Sequence, residues 1–336
     1  MKERSKLLLF IKKSDSTFVL NDESVLKEHY RVESFLYGNP KGLSKFLYIQ
    51  IKLILWLLSK IREARYIYIW FADYHSFFPI FVAKIMKWKS LLVLGGYGVA
   101  NIPDIKYGAY TNFLRRFCVR FSIENALICL PVSNYVNRQA KHIARHMKSK
   151  VLYNGIKIHS QGNDYDKKNI ILTVGICNEI RRVKIKGIDF FIKLAKSFKN
   201  YQFIIVGLSK SLSKQLGTIP ANCKIIEPIP HLELLDYYKT AKIYCQFSLT
   251  ESFGLSVAEA MFYGCIPIVS DNGALPEIVK NTGYILTERN IEDAVQVIQE
   301  AINLDNNLHI KARKRALDNF SLKRRNSEII KAIRNL

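Results

Sequence analysis

The chain has 336 residues, of which 49% are hydrophobic and 12% aromatic, so it is a globular protein long enough for two domains of roughly 150 residues. It has no low-complexity tract and no long run of one charge, which excludes a largely disordered chain. Its 51 Lys and Arg residues against 28 Asp and Glu residues give a net charge of +23. This excess favours a phosphate-bearing partner, namely nucleic acid, anionic lipid or a nucleotide-linked substrate, although a plain solvated surface can have the same composition.

The first half of the chain mixes basic residues with apolar and aromatic ones. Lys52 and Lys60 flank a segment that contains Leu55 and Trp56, and Trp88 stands between two further lysines. This combination is typical of a protein that lies on a membrane surface.

Two apolar stretches near the N-terminus are candidates for a leader or a membrane span. In residues 1–13, MKERSKLLLFIKK, a short apolar run soon meets two lysines and no small-residue cleavage site follows, so we predict a first β-strand. Residues 46–60, FLYIQIKLILWLLSK, are interrupted by Lys52 and are too short to cross a bilayer. We therefore expect a soluble or peripheral protein in the cytoplasm.

The cysteines form no C-x-x-C pair, and several lie inside apolar runs. This pattern predicts buried free thiols in a reducing compartment and is unlike a disulfide framework or a zinc site. The six are Cys118, Cys129, Cys177, Cys223, Cys245 and Cys265.

Short apolar runs alternate with helix-length segments along the whole chain. The predicted strands are residues 7–11, 31–37, 66–71, 90–95, 126–132, 150–154, 170–175, 203–207, 224–229, 242–248 and 265–270. Continuous apolar strands separated by helices predict parallel sheets covered on both faces. We therefore predict an α/β protein with two doubly wound halves, which face each other across a ligand-binding cleft.

The domain limits follow from one polar segment. Residues 158–169, IHSQGNDYDKKN, have no periodicity and form the best linker candidate. The predicted domains are residues 1–155 and 156–318. The basic helical tail from about residue 319 to 336 either closes the second domain or returns to the first.

Two carboxylates interrupt the otherwise apolar segment 251–265, ESFGLSVAEAMFYGC. Glu251 lies in a turn after a predicted strand, and Glu259 lies inside the helix that follows. A strand, a Gly-containing turn and a helix N-terminus together favour anion binding. A carboxylate among small apolar residues needs a hydrogen-bond partner. Either both glutamates hold a hydroxyl-rich ligand, or Glu251 lies at a helix cap and Glu259 on a solvated face.

The segment 251–279, ESFGLSVAEAMFYGCIPIVSDNGALPEIV, resembles the Glu-x7-Glu signature of the retaining glycosyltransferases of family 4, which have the GT-B fold. Other segments resemble further parts of that family, more specifically in the second half of the chain than in the first. They are residues 70–79 (WFADYHSFFP), 93–98 (VLGGYG), 131–136 (PVSNYV), 151–158 (VLYNGIKI) and 174–196 (VGICNEIRRVKIKGIDFFIKLAK).

The resemblance implies roles for the residues around the acidic pair. Glu259 would hydrogen-bond the ribose of the nucleotide. Glu251 would hold the hydroxyl groups of the donor sugar together with neighbouring backbone, and two backbone amides would meet phosphate. That backbone belongs to Ser252, Phe253 and Gly254 for the sugar, and to Leu255 and Ser256 for the phosphate.

The resemblance also implies the groups that assist the reaction. Lys186 would neutralise the leaving diphosphate, and His75, at a strand end, would lie near the reacting centre. Such a transfer passes through an oxocarbenium-like state that leaves an anionic diphosphate, and cations placed there stabilise it. Gly95 and Gly96 would form a turn near the acceptor.

The sequence departs from the family pattern in three places. Ile176 stands where the family has Arg, so the second cation would be Arg182 or one of its neighbours Arg181 and Lys184. Residues 12–22, KKSDSTFVLND, replace a Gly-rich loop, so residues 14–17, among them Ser16, would do its work. The turn at residues 154–157 lacks an acidic residue that is common there.

No cofactor and no metal are expected. Asp164-Tyr165-Asp166 spells the D-x-D metal signature of the other major glycosyltransferase fold, but we interpret it as part of the polar linker. Gly95, Gly96 and Gly98 lack the spacing of a dinucleotide-binding loop. Cations would replace the metal, as the resemblance implies.

The sequence therefore predicts a retaining glycosyltransferase that moves a sugar from a UDP- or GDP-sugar to a lipid-linked or cell-surface polysaccharide acceptor. It would lie on the anionic inner face of the cytoplasmic membrane. Two alternatives remain: a nucleotide-sugar epimerase of the same fold, and a basic nucleic-acid-binding protein. No recognition motif supports the second, so nucleic acid is not an expected partner.

Overall fold

The computed structural model describes residues 6–102, 107–158, 165–303 and 307–336. The chain divides into two units. Unit 1 consists of Met1–Gly155 with Lys323–Leu336, and unit 2 is Ile156–Leu322. The sequence-based limits are residues 155/156 and about 319, so the second limit differs by a few residues.

Unit 1 contains a parallel sheet of five strands in the order β2-β1-β3-β4-β5. The central strands are continuous apolar runs because both faces of a parallel sheet are covered. The strands are β1 (Leu7–Lys12), β2 (Arg31–Leu36), β3 (Ala64–Trp70), β4 (Lys89–Leu94) and β5 (Ile128–Pro131). All five were predicted from the sequence, with limits that differ by at most two residues.

Helices connect these strands and cover the sheet. They are α1 (Thr17–His29), α2 (Leu43–Ser59), α3 (Tyr74–Ile85), α4 (Phe113–Asn125) and α5 (Asn134–Ile143), with a short 3-10 helix at Ala109–Thr111. Along the order of strands in the sheet, the connection from β1 to β2 runs one way. The connections from β2 to β3, β4 and β5 run the opposite way. Because such crossovers are right-handed, α1 lies on one face of the sheet, and α2, α3 and α4 lie on the other.

The predicted strand at residues 150–154 is wrong. The segment runs beside β5, and Leu152 N–H donates to the carbonyl of Pro131 at 2.8 Å, but no ladder forms along it. The carbonyls of Leu152 and Tyr153 accept hydrogen bonds from Arg325 instead. The pairing with β5 cannot continue as a ladder, because Pro131 has no N–H to donate to this segment.

Unit 2 contains a parallel sheet of six strands in the order β11-β10-β9-β6-β7-β8. The strands are β6 (Lys168–Cys177), β7 (Gln202–Leu208), β8 (Cys223–Ile226), β9 (Ala241–Gln246), β10 (Ile266–Ser270) and β11 (Tyr284–Leu286). The sequence did not predict β11, which has only three residues. β8 ends before the predicted limit because Pro228 and Pro230 follow it.

The helices of unit 2 lie between and after these strands. They are α6 (Ile180–Lys186), α7 (Ile188–Ala195), α8 (Lys210–Ser213), α9 (His231–Thr240), α10 (Leu255–Phe262), α11 (Leu275–Val279), α12 (Ile291–Asn303) and α13 (Leu308–Phe320). All six cysteines of the chain are buried free thiols. Within the ranges that the structure describes, no helix is both long and apolar enough to cross a membrane.

The last helix, α14 (Leu322–Arg334), packs on unit 1 from Lys323 onwards. The guanidinium of Arg325 binds the carboxylate of Asp22 through two hydrogen bonds of 2.7 Å. The same carboxylate accepts hydrogen bonds from the hydroxyl of Tyr68 and the indole N–H of Trp70. Both charges are fully buried, and each is satisfied by several partners, as a buried ion pair requires.

We expect Arg325→Ala to destabilise unit 1 by about 3–5 kcal/mol, because the substitution leaves the buried carboxylate of Asp22 without its cation. Guanidinium unfolding followed by tryptophan fluorescence measures this directly, because all three tryptophans belong to unit 1. Lys323→Ala, at an exposed position of the same helix, is the matched control and should change little. Equal unfolding midpoints for the two variants would contradict the prediction.

Candidate functional site

An ion pair lies at the carboxyl edge of the sheet in unit 2. Lys186 is the last residue of α6, and Glu251 lies in the loop after β9. The ammonium of Lys186 is 2.7 Å from Oε2 of Glu251, and both side chains are partly exposed to solvent. The structure therefore brings together two residues that were predicted from segments 65 positions apart.

The end of α6 is held against the segment after β9. Gly187 has a φ of +70°, and a Cβ there would lie 2.1 Å from the carbonyl oxygen of Phe247. Leu249 N–H donates to the carbonyl of Ile185 at 2.8 Å. Only glycine permits this approach, so residue 187 determines how close Lys186 comes to Glu251.

The backbone of Glu251 is fixed from the other side as well. Its carbonyl accepts a hydrogen bond from Ala274 N–H at 2.8 Å. Gly273, at a φ of +66°, packs so closely that a Cβ there would lie 2.3 Å from the carbonyl oxygen of Glu251. The turn after β10 therefore supports the loop after β9, and the carboxylate projects from a braced backbone.

Helix α10 begins directly after this loop. Gly254 precedes it at a φ of +95°, and no side chain in the described part of the chain caps it. The first amides of a helix have no intrahelical acceptor, so those of Leu255 and Ser256 are available to an anion. Ser252 is partly exposed, whereas the ring of Phe253 packs against Phe320 at 5.4 Å.

Glu259 has a partner that the sequence analysis missed. Its Oε1 lies 2.8 Å from Nε2 of His231, the first residue of α9, and only 17% of its side chain is exposed. The low exposure argues against a merely solvated Glu259. The hydrogen bond to this carboxylate raises the pKa of His231 above its ordinary 6.5.

Buried polar side chains lie beneath the two glutamates. The amide of Gln246 accepts a hydrogen bond from the hydroxyl of Tyr244 and donates to that of Ser248. Ser270 donates to the carbonyl of Ser248. Burial, together with both carboxylates nearby, raises the pKa of Tyr244 far above its ordinary value, so the phenol stays a neutral donor.

The second cation was left open among three residues of α6. Arg182 is one turn before Lys186, and side chains four residues apart share a helix face. Lys184, two residues before it, points elsewhere around the helix. Ile176 occupies the position at which the resembled family has Arg, and its side chain is 65% exposed. Arg182, which is exposed, therefore shares the helix face of Lys186, and its role as the second cation stays a prediction.

His75 belongs to unit 1 and is placed differently from the expectation. It lies in the first turn of α3 and not at a strand end, and it is fully buried. Its Nε2 is 2.8 Å from the carbonyl oxygen of Trp70, and its ring packs against Tyr37. Burial lowers the pKa of His75, which keeps the imidazole neutral.

Ser16, Gly95 and Gly96 also lie in unit 1, after the carboxyl ends of β1 and β4. Ser16 stands at the start of α1, and its hydroxyl is 2.9 Å from that of Ser14. Gly96 has a φ of +100°, and a Cβ on Gly95 would lie 2.3 Å from the ring of Phe71. Gly95 and Gly96 thus form a tight turn, whereas the nucleotide residues predicted from the acidic segment all lie in unit 2.

A charged cluster at the same edge of unit 1 was not predicted. The carboxylate of Asp73 caps α3 and lies 2.7 Å from Nζ of Lys13 and 3.0 Å from Nε of Arg115. The guanidinium of Arg115 also lies over the rings of Tyr74 and Tyr97. The signal available in the sequence was the Asp of WFADYH, directly before a helix.

Metal ligation finds no support among the residues that the structure describes, where no three His, Cys, Asp or Glu side chains converge. Asp164 of the D-x-D triplet lies outside those residues. The ring of Tyr165 packs against Tyr263 at 5.5 Å. That the protein needs no metal stays a prediction.

The fold defines the class of protein. HepE of Anabaena, solved in complex with UDP-glucose, aligns with 98% of this chain and 100% of its own at a TM-score of 0.73 and 16% identity. Sucrose-phosphate synthase from Thermosynechococcus elongatus aligns with 98% of both chains at a TM-score of 0.72 and 15% identity. The protein has the GT-B fold, with two Rossmann-like domains of parallel sheet.

The second unit carries a recognisable domain. Residues 156–318 match the family described as Glycosyl transferases group 1, so the chain contains a group 1 glycosyltransferase domain. The GPI3 subunit of phosphatidylinositol N-acetylglucosaminyltransferase from Saccharomyces cerevisiae is 25% identical over 135 residues, which are 38% of this chain and 28% of that protein. An uncharacterized 41.2 kDa protein in the cps region of Klebsiella pneumoniae is 30% identical over 173 residues, 45% of this chain and 44% of that one. The chain thus spans less than half the length of each of these two relatives.

We expect Glu259→Gln to lower the pKa of His231, because the substitution removes the carboxylate that favours the imidazolium. In the wild type this contact stabilises the fold fully below the unfolded pKa of about 6.5, and the contribution disappears as the pH rises through the higher folded pKa. An NMR titration of the histidine ring protons measures the shift. The six other histidines are internal controls. An unchanged titration of His231 would show that the contact does not exist in solution.

Proposed function

We propose that the protein is a retaining glycosyltransferase of family 4 type, which moves a sugar from a UDP- or GDP-sugar to a lipid-linked or cell-surface polysaccharide acceptor. One observation carries the proposal. Lys186, Glu251 and the first turn of α10 meet at the carboxyl edge of the sheet, inside the group 1 glycosyltransferase domain. Ligands of such folds bind at this edge.

The ion pair suggests how a diphosphate would be received. In the structure the ammonium of Lys186 is paired with Glu251. A diphosphate at the first turn of α10 would offer that ammonium a second anion, while Glu251 would accept hydrogen bonds from hydroxyl groups of the sugar. As the bond to the sugar breaks, charge develops on the diphosphate, where Lys186 and the helix amides stabilise it. These groups supply the charge without a metal.

Glu259 would bind the ribose of the nucleotide. Its carboxylate has two acceptor oxygens, and vicinal hydroxyl groups can donate to both. In the structure Oε1 is engaged by His231. Ribose binding would therefore either replace this ring or use the second oxygen beside it. HepE was solved in complex with UDP-glucose, which supports a uridine nucleotide as the first to test.

Retention of configuration and the kind of acceptor are inferred from similarity and charge. Retention rests on the spacing of Glu251 and Glu259 within segment 251–279. The names of the yeast and Klebsiella relatives, which mention phosphatidylinositol and a cps region, support a lipid-linked or surface-polysaccharide acceptor. The net charge of +23 supports a cytoplasmic enzyme attached to an anionic membrane face.

Thermal-shift measurements with UDP-, GDP- and CMP-sugars test the donor site. A ligand at 100 times its dissociation constant should stabilise the wild type by about 2.7 kcal/mol, and we expect Glu259→Ala to remove this effect. The control is Glu233→Ala, an exposed glutamate of α9, which should respond like the wild type. Each sugar is tested with and without magnesium. If every sugar fails to stabilise the wild type, the proposed donor site is wrong.

Lys186→Ala should lower the rate of sugar transfer about 100- to 1,000-fold, because it removes a cation from the developing diphosphate charge. Lys184→Ala, an exposed lysine of the same helix, is the matched control and should keep its rate. Transfer is followed by release of the nucleoside diphosphate. The coupling constant of the anomeric proton in the product reports retention, and an inverted product would exclude that part of the proposal.

A further inference from the structure

Helix α2 presents apolar side chains on the side that faces solvent. Leu53 and Leu57 are buried against the rest of unit 1, as a covering helix requires. The opposite side is also apolar, although such a surface is normally polar. It consists of Leu43, Leu47, Tyr48, Ile51, Leu55 and Leu58, which are each at least half exposed, up to 73% at Leu43.

The neighbouring helices extend this surface. Rings connect α2 to α3 through Phe46 and Tyr74, at 5.1 Å, and α3 to α4 through Phe77 and Phe121, at 4.7 Å. The outer sides of α3 and α4 carry further exposed apolar residues, among which Phe113 is 86% exposed. They are Phe81 and Ile85 on α3, and Phe113, Leu114 and Phe117 on α4. We call the outer side of these three helices the apolar face.

The charges around the apolar face are mostly positive. The sequences of α2, α3 and α4 together contain six Lys and Arg residues and a single acidic residue, Glu124. Lys45, Lys52, Lys84 and Arg116 are exposed on these helices. A second copy of the chain on the same face would bring like charges together, whereas an anionic surface would neutralise them.

We propose that the apolar face docks on the surface of an anionic lipid bilayer. The leucine, isoleucine and phenylalanine side chains enter the boundary between headgroups and acyl chains, and the lysines and arginines around them bind the anionic headgroups. An exposed apolar area of this extent on one layer of helices marks an interaction site and not ordinary surface. Docking thus uses insertion of apolar side chains in addition to charge.

This inference rests on the proposed function and identifies the surface through which the proposed membrane attachment would occur. It agrees only in part with the expectation formed from the sequence. Leu55 and Lys52, which were named there, are exposed, and Leu55 belongs to the apolar face. Leu53, Leu57 and Trp88, from the same segments, are buried in the structure.

The test is sedimentation of the full chain with vesicles of phosphatidylcholine, with and without phosphatidylglycerol. We expect the wild type to sediment with anionic vesicles and much less with neutral ones. Ile51→Glu should weaken partitioning about tenfold, because it places a charge where an apolar side chain enters the bilayer. Lys52→Glu should weaken it by about the same factor.

Matched controls lie on α13 in unit 2. Ile310 is 56% exposed and Ile51 is 58% exposed, so Ile310→Glu makes the same chemical change at an equally exposed helical position. Lys311→Glu matches Lys52→Glu in the same way. Both controls should sediment like the wild type. Circular dichroism and donor thermal shifts establish that every variant is folded, because none of these residues belongs to the donor site.

Three outcomes would overturn the proposal. The first is that the wild type fails to sediment with anionic vesicles. The second is that Ile51→Glu sediments with them as well as Ile310→Glu does. In the third, sedimentation velocity shows a dimer that Ile51→Glu dissociates while vesicles do not bind, which would make the apolar face an interface between copies. Each outcome leaves the thermal shift with nucleotide-sugars unchanged, so failure here is distinguishable from failure of the proposed activity.

Discussion

The donor site that we propose depends on one close contact, between Gly187 and the carbonyl of Phe247. A side chain at residue 187 would collide with this carbonyl, so the end of α6 could not approach the segment after β9. That approach allows Ile185 and Leu249 to share a hydrogen bond, and it brings Lys186 within 2.7 Å of Glu251. Backbone packing therefore positions the charges.

The two units use polar groups in different ways. In unit 1, the charged groups of Asp22 and Arg325 are buried and hydrogen-bonded to protein groups, so they are not accessible to a ligand. In unit 2, Lys186 and Glu251 remain partly exposed, and each has capacity for a further partner. An ion pair of a cation and a carboxylate thus stabilises the fold where it is buried, and it can bind a ligand where it is exposed to solvent.

The sequence predicted the fold well because continuous apolar strands and helix-length intervals are local patterns. It failed at residues 150–154, where Pro131 of the neighbouring strand has no N–H to donate, and where the carbonyls of Leu152 and Tyr153 bind Arg325, more than 170 positions away. It also failed at β11, whose three residues are too few for a periodicity. Both errors concern contacts or lengths that local patterns do not contain.

The candidate site was predictable in the same uneven way. Glu251 and Glu259 were recognisable because a carboxylate stands out in an apolar segment, and Lys186 because a related motif surrounds it. His231 was not, since it meets Glu259 only through the fold, 28 positions away. The exposure of Ile51 was hidden too, because the sequence of a helix that is apolar on two opposite sides does not show which side is buried.

The pairing of Asp22 with Arg325 has a consequence for the order in which the protein is made. A ribosome synthesises the chain from its N-terminus, so the carboxylate exists long before its cation, 303 positions later. Every residue of unit 2 lies between them. Unit 2 can be complete while unit 1 still lacks the guanidinium that its interior requires. Unit 1 is therefore the first unit whose synthesis begins and the last whose fold can be completed, because completion requires α14.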